Sequence, residues 1–208
     1  GNEFVQHVHE SSDDVIVVLD GSVSLRQGQA YTPAVAGEAL YIPSGEVHGT
    51  VNTGNRVARM ISFQSPPDMA LYRGDRNTEE NRRPIPSQGH VSRVLVIRMS
   101  SGSPDFRKNV EWRRVFSPEN GARNMILEFG SFKENESQEF LEEGAEGIIV
   151  VIRGKFVLKT PGEASSELEE NAVVFLEQGE TFSVTSRSDT GSILHCRALA
   201  REALNDNP

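Results

Sequence analysis

The stretch His7–Gly21, HVHESSDDVIVVLDG, sets two of the chain's five histidines one residue apart, follows them with acids, and then runs into an apolar strand. In an extended strand, residues i and i+2 point to the same side. His7 and His9 therefore present two imidazoles to one face. A turn at ESSD brings the chain back, so that Asp14 on the next strand faces the same interior. Asp13 is a second candidate, although strand alternation points it the other way. A further histidine, His48, lies in IPSGEVHGTVN, Ile42–Asn52. Three neutral imidazoles and one carboxylate suit a divalent first-row metal: Fe, Mn, Ni, Co, Cu or Zn. Such a site keeps an open position for water or substrate. A histidine on a strand is more often a surface or hydrogen-bonded residue than a ligand, so the pattern by itself leaves both readings open.

Outward from this stretch, short runs rich in Val, Ile and Phe recur along the chain. They are DVIVVLDGSVSLRQ, GEALYIPSG, RVARMISFQ, SRVLVIRMS, ARNMILEFGSF, EGIIVVIRGKFVLKT and NAVVFLEQGETFSVTS. Gly, Pro, Asn and Ser punctuate them, as expected of strands joined by turns. The expected fold class is all-β, a sandwich or barrel. Helical signals are confined to PPDMALYRG and ALAREALND. The stretch Tyr72–Gly89 is polar and carries Pro and Gly, and it reads as a linker or surface crossing.

The parts on either side of that linker look alike. DDVIVVLDGSVSLRQ and GEALYIPSGEVHGTV in the first half correspond to EGIIVVIRGKFVLKT and NAVVFLEQGETFSVT in the second. With Gly21 set against Gly154, and Gly45 against Gly179, the internal spacings are 24 and 25 residues. A repeat of this length implies duplication of a whole domain. The expected division is residues 1–70 as the first barrel, 71–90 as linker, and 91–208 as a second barrel whose first strands can complete the first.

The two histidine segments, taken together, resemble the paired motifs of the cupin superfamily. The first motif is His-x-His, three or four residues, an acid, six residues and Gly; here these are His7, His9, Asp14 and Gly21. The second is Gly, five residues, Pro-x-Gly, two residues, His, three residues and Asn; here these are Gly37, Pro43, Gly45, His48 and Asn52. The resemblance implies two cupin-type double-stranded β-helix (jelly-roll) barrels in tandem, a bicupin. It also implies one divalent transition metal on His7, His9, His48 and Asp14, with Asp14 where the family usually has Glu. Asp is one methylene shorter, so the metal would sit closer to that strand or reach Asp14 through a water. The same motifs laid on the second half find Phe140, Glu142 and Gly147, then Glu177, Phe182 and Ser186, which supply no ligand set. The second barrel is therefore expected to be structural, without a metal. His90 and His195 fall outside both motifs and read as ordinary surface or packing residues.

Only six residues precede His7, fewer than the strand or two that come before this motif in the family. The exposed sheet edge should then be covered by SRVLVIRMS, by the second barrel or by a partner chain, or an upstream segment is missing from this sequence. The resemblance makes a homodimer the expected assembly. By alternation, Ile16, Val18, Thr50 and Asn52 should line the site, an apolar surround suited to a small organic molecule. Tyr41 and Glu46 flank the site but read more readily as packing and loop residues than as an acid–base pair.

The chain has 208 residues, a net charge of −9, 37 % apolar residues and 25 % charged residues, an ordinary balance for a globular protein. The acidic balance argues against a nucleic-acid partner, the nearest basic cluster being the short Asn81-Arg82-Arg83. No apolar run reaches membrane-spanning length, and GNEFVQHVHE carries no signal-peptide core, so a cytoplasmic location is expected. One cysteine, Cys196, rules out an internal disulfide and, within SILHCRALA, reads as a buried inert thiol. The functional expectation is a metal-dependent enzyme of dioxygenase, isomerase or lyase type acting on a small organic substrate. The alternative is a non-catalytic small-molecule-binding or sensing module.

Overall fold

A computed structural model describes residues 2–73, 86–102, 104–141 and 146–199. The linker core at 74–85, Glu142 and most of ALAREALND lie outside the described residues. The chain divides into two compact units, Gly1–Met99 and Ser100–Pro208.

The first unit contains β1 (Glu3–His7), β2 (Asp13–Asp20), β3 (Ser22–Gln27), β4 (Ala30–Val35), β5 (Glu38–Ile42), β6 (His48–Val51), β7 (Arg59–Ser65), a short helix α1 (Met69–Tyr72) and β8 (Leu95–Arg98). Two four-stranded sheets, β1-β6-β3-β4 and β7-β2-β5-β8, make a jelly roll. Its inner faces pack Ile16, Val18, Val23, Leu25, Ala34, Leu40 and Ile42 together. In β2 the alternate residues Val15 and Val17 are also fully buried, which is why its sequence runs as a continuous apolar stretch instead of alternating.

The second unit contains β9 (Asp105–Arg107), β10 (Val110–Phe116), β11 (Met125–Lys133), β12 (Ser137–Leu141), β13 (Gly147–Arg153), β14 (Phe156–Lys159), β15 (Ser166–Leu168), β16 (Val173–Leu176), β17 (Thr181–Ser186) and β18 (Thr190–Ala198). Its sheets are ordered β16-β13-β18-β11-β10-β9 and β12-β17-β14-β15. The core is more aromatic, with Trp112, Phe132, Phe140, Phe156 and Phe182 packed among Ile149, Val151, Leu176 and Ile193.

Strands β1–β7 and β12–β18 follow one pairing scheme. The pairs β1·β6, β2·β5, β2·β7, β3·β4 and β3·β6 recur as β12·β17, β13·β16, β13·β18, β14·β15 and β14·β17. This is the duplication that the aligned glycines imply. The units differ at their edges. In the second, β11 pairs with β18 from Met125↔Ala198 to Lys133↔Thr190. In the first, β7, the counterpart of β18, has no outer neighbour among the described residues, and the added strand β8 lies on β5 instead, from Glu38↔Arg98 to Tyr41↔Leu95. That strand comes from SRVLVIRMS.

The turn glycines carry the tightest steric demand. Gly21 and Gly154 have φ of +75° and +87°, and a Cβ at either would come within 2.9 Å of a carbonyl oxygen, Val57 O or Thr190 O. Gly37 has a similar φ of +87° with nothing near its missing Cβ. Gly154→Ala and Gly21→Ala should each cost about 1–3 kcal/mol of stability. Gly37→Ala, which adds backbone strain without the clash, should cost less. Denaturant unfolding of the three variants checks the order, and equal losses would refute the steric argument.

Candidate metal centre

The β1·β6 ladder builds the site. His7, the last residue of β1, pairs with His48, the first of β6. His9 follows two residues later, where its carbonyl accepts the N–H of Gly45 at 2.7 Å from the turn that leads into β6. The His7 and His48 rings lie 4.4 Å apart between centroids, His7 and His9 4.8 Å, and His9 and His48 5.4 Å. One nitrogen from each of the three falls within 4.8 Å of the others, so the triad can hold a metal ion. His9 and His48 are buried, and His7 is half-buried.

The hydrogen bonds fix which nitrogens are available. His7 Nδ1 lies 3.0 Å from the carbonyl of Val5, and His48 Nδ1 lies 2.9 Å from that of Glu46. A carbonyl only accepts, so both Nδ1 atoms carry the proton and both Nε2 atoms keep a lone pair. Nε2 of His48 is buried and makes no hydrogen bond among the described residues, an orphaned donor atom of the kind a metal satisfies. Burial holds the pKa of His7 down at about 4, with a further lowering from His48 beside it, so the ring is in its neutral, ligating form at neutral pH.

Asp14 adjoins this group. Its Oδ2 lies 3.5 Å from Nε2 of His48, and its Oδ1 accepts the hydroxyl of Ser62 on β7. Asp13 turns the other way, as strand alternation requires: it accepts the Tyr41 hydroxyl at 2.9 Å and the N–H of Ser44 at 3.1 Å. Glu46 is fully buried and occupied by Gln27 at 2.9 Å, His90 at 2.8 Å and Arg93 at 2.6 Å. Tyr41 and Glu46 thus hold the fold together, and His90 is a buried acid's partner, not an ordinary surface residue. Ile16 and Val18 do belong to the inner core. Asn52, expected to line the site, instead closes the loop after β6 by donating to the carbonyl of Arg56 at 2.9 Å and accepting the N–H of Gly54 at 3.0 Å.

Besides Ser62, sequence reasoning missed two neighbours of His9. Gln64, opposite Asp14 on β7, places its amide nitrogen 2.8 Å from His9 Nε2 and 2.9 Å from Nδ1. Asp68, just before α1, places Oδ2 3.1 Å from His9 Nδ1. Neither belongs to a motif. Only the β2·β7 register could have revealed them.

The same place in the second unit is filled differently. Phe140 pairs with Phe182 as His7 pairs with His48, and the two rings stack 4.9 Å apart at 3°. Gly147 stands where the first unit has Asp14. Beside them an ion cluster forms around the buried Glu128. Glu128 accepts both terminal nitrogens of Arg107, and Arg114 and His195 lie 3.6 Å and 3.8 Å from its carboxylate. His195 is 3 % exposed and meets the Phe140 ring edge-on at 4.9 Å, so it is a buried ion-cluster member. Burial would raise the Glu128 pKa, but His195 and Arg107 outweigh it and hold the carboxyl well below the usual range. Burial also pushes the Cys196 thiol up to about 12, leaving it inert.

The architecture is two tandem antiparallel jelly rolls, with a histidine triad that could hold a metal ion inside the first. Residues 1–63 match the family model described as a cupin domain. The second unit resembles cupins in fold, as a further jelly roll with the same pairing scheme. Similar solved structures include the protein Ylba from E. coli, at 13 % identity and a TM-score of 0.69, with 93 % of this chain and 70 % of that one covered. A variant of oxalate decarboxylase OxdC from Bacillus subtilis matches at 11 % identity and a TM-score of 0.69, over 96 % and 66 %. A variant of salicylate 1,2-dioxygenase from Pseudoaminobacter salicylatoxidans matches at 13 % identity and a TM-score of 0.65, over 94 % and 67 %. These likenesses establish the fold. No curated protein matches the chain in sequence. Among the described residues, no helix is long and apolar enough to cross a membrane.

Removing Glu128 strands the Arg107 charge and unlinks His195. Glu128→Ala should cost about 3 kcal/mol. Because the folded-state pKa of Glu128 lies below its ordinary value of 4.5, its contribution is complete above that pH and is lost as the pH falls below it. The thermal stability of the second unit should therefore fall on acidification through that range, and less steeply in Glu128→Gln.

Proposed function

We propose that the first unit binds one divalent transition-metal ion through Nε2 of His7, His9 and His48, with Asp14 as a fourth ligand, direct or through a water. The observation that carries this reading is the shared arrangement of His7 and His48: each has Nδ1 spent on a backbone carbonyl, and Nε2 of the buried His48 is left without a hydrogen bond. Neutral nitrogen donors beside a carboxylate suit Fe, Mn, Ni, Co, Cu or Zn.

On this reading the chain is a metal-dependent enzyme acting on a small organic molecule. A bound metal would supply Lewis acidity, or redox chemistry if it is a redox-active ion. The chain's own residues would do the rest. Ser62 holds one oxygen of Asp14, leaving the other facing His48. Ile16 and Val18 give the barrel interior an apolar wall that excludes water. Two similar structures bear the names of enzymes that act on small organic acids, salicylate and oxalate, which supports this substrate size.

Protein purified without chelator should carry about one metal ion per chain by elemental mass spectrometry. His7→Ala/His9→Ala should lose it while remaining folded. Asp14→Ala should keep the ion with lower affinity, by about 10-fold or more. Absence of metal even after reconstitution with each ion would overturn the proposal. Metal binding without turnover on any small acid tested would leave a binding or sensing module as the function.

A further inference from the structure

The three imidazoles are not held alike. His7 and His48 each donate Nδ1–H to a carbonyl two residues earlier, a purely local arrangement. His9 is held from a distance. Its Nδ1 lies 3.1 Å from Oδ2 of Asp68, 59 residues further along, and the two side chains are only 5 % and 9 % exposed. Asp68 is itself fixed, because its backbone N–H donates to Gln64 Oε1 at 2.8 Å. Gln64 in turn lies opposite Asp14 in the β2·β7 ladder. A bracket from the end of β7 thus delivers a carboxylate to the far side of one ligand.

We infer that Asp68 is a positioning residue of the metal centre, which sets the tautomer and direction of His9 and places a negative charge behind that ligand alone. This rests on the reading of the triad as a metal site. A carboxylate only accepts, so the proton sits on Nδ1 of His9, and the Nε2 lone pair faces the Gln64 amide nitrogen at 2.8 Å, which a bound ion would displace. A carboxylate behind an imidazole also makes it a more basic donor and restrains ring rotation. Of the three ligands, His9 alone depends on the segment between β7 and α1. A shift of that segment changes the metal centre through His9 and leaves His7 and His48 in place.

The test uses the full chain with Asp68→Ala and Asp68→Asn. In the metal-free protein, nitrogen NMR of the His9 ring should report the Nδ1–H tautomer in the wild type and a loss of that preference in Asp68→Ala. With Zn²⁺ and Co²⁺ as probes, in competition with a chelator, Asp68→Ala should bind about 10–100-fold more weakly. Asp68→Asn, which keeps an acceptor oxygen without the charge, should recover part of that loss and give a Co²⁺ absorption spectrum closer to wild type. If Asp68→Ala does not fold, Asp68→Asn decides alone through its affinity and the His9 tautomer. Affinity within about 2-fold of wild type together with an unchanged tautomer would overturn the inference. A wild type that binds neither ion would overturn the metal reading. The tautomer measurement would still show whether Asp68 holds His9.

Discussion

The first unit depends on the register of one short ladder. β1 and β6 are five and four residues long, and their pairing sets His7 opposite His48. A slip by one residue would send one imidazole to the outer face and dissolve the triad, because strand side chains alternate with period two. The register is held from outside the ladder. Gly45 binds the carbonyl of His9, Asp13 holds Tyr41 and the N–H of Ser44, and Glu46 gathers Gln27, His90 and Arg93. Charged and polar groups from the PSGEVH turn are spent on locating a strand end, while Nε2 of His48 makes no hydrogen bond among the described residues.

The second unit shows the same topology relieved of that duty. At the equivalent rung it stacks Phe140 on Phe182, which fills the interior with apolar volume. Its polar content lies elsewhere: half-buried Arg107 of β9 pairs with the buried Glu128 of β11, joined by His195 of β18. Breaking this pair is damaging because it leaves the carboxylate of Glu128 buried and uncompensated. The two units also extend opposite edges of the equivalent sheet, β5 in the first and β18 in the second.

Position, more than residue type, separates functional from structural groups in this chain. Asp13 and Asp14 are neighbours with the same chemistry, yet one anchors a tyrosine and the other faces the triad. Glu46, fully buried, and Asp68, half-buried, are both acids near the histidines. One is consumed by a guanidinium, an imidazole and an amide, and the other stands behind His9. A sequence shows the acids but not the partners that decide what each can do.

Much of the protein was legible in the linear chain, for reasons of periodicity. Alternation over HVH puts two imidazoles on one face. The glycines at 21, 45, 154 and 179 mark turns in which φ is positive, and they expose the duplication. Phe140 and Phe182 at the ligand positions indicate an apolar second interior. Distances between remote segments were not legible. Ser62, Gln64 and Asp68 reach the site only because β7 lies antiparallel on β2, a pairing of segments about 50 residues apart that no local pattern encodes. His195 looked unremarkable because the strand that buries Glu128 against it lies more than 60 residues earlier. Local sequence determined the strands, the turns and the three histidines, since those follow from side-chain alternation and backbone sterics. Tertiary structure decided which acids and amides surround them, since that follows from the strand register and from burial.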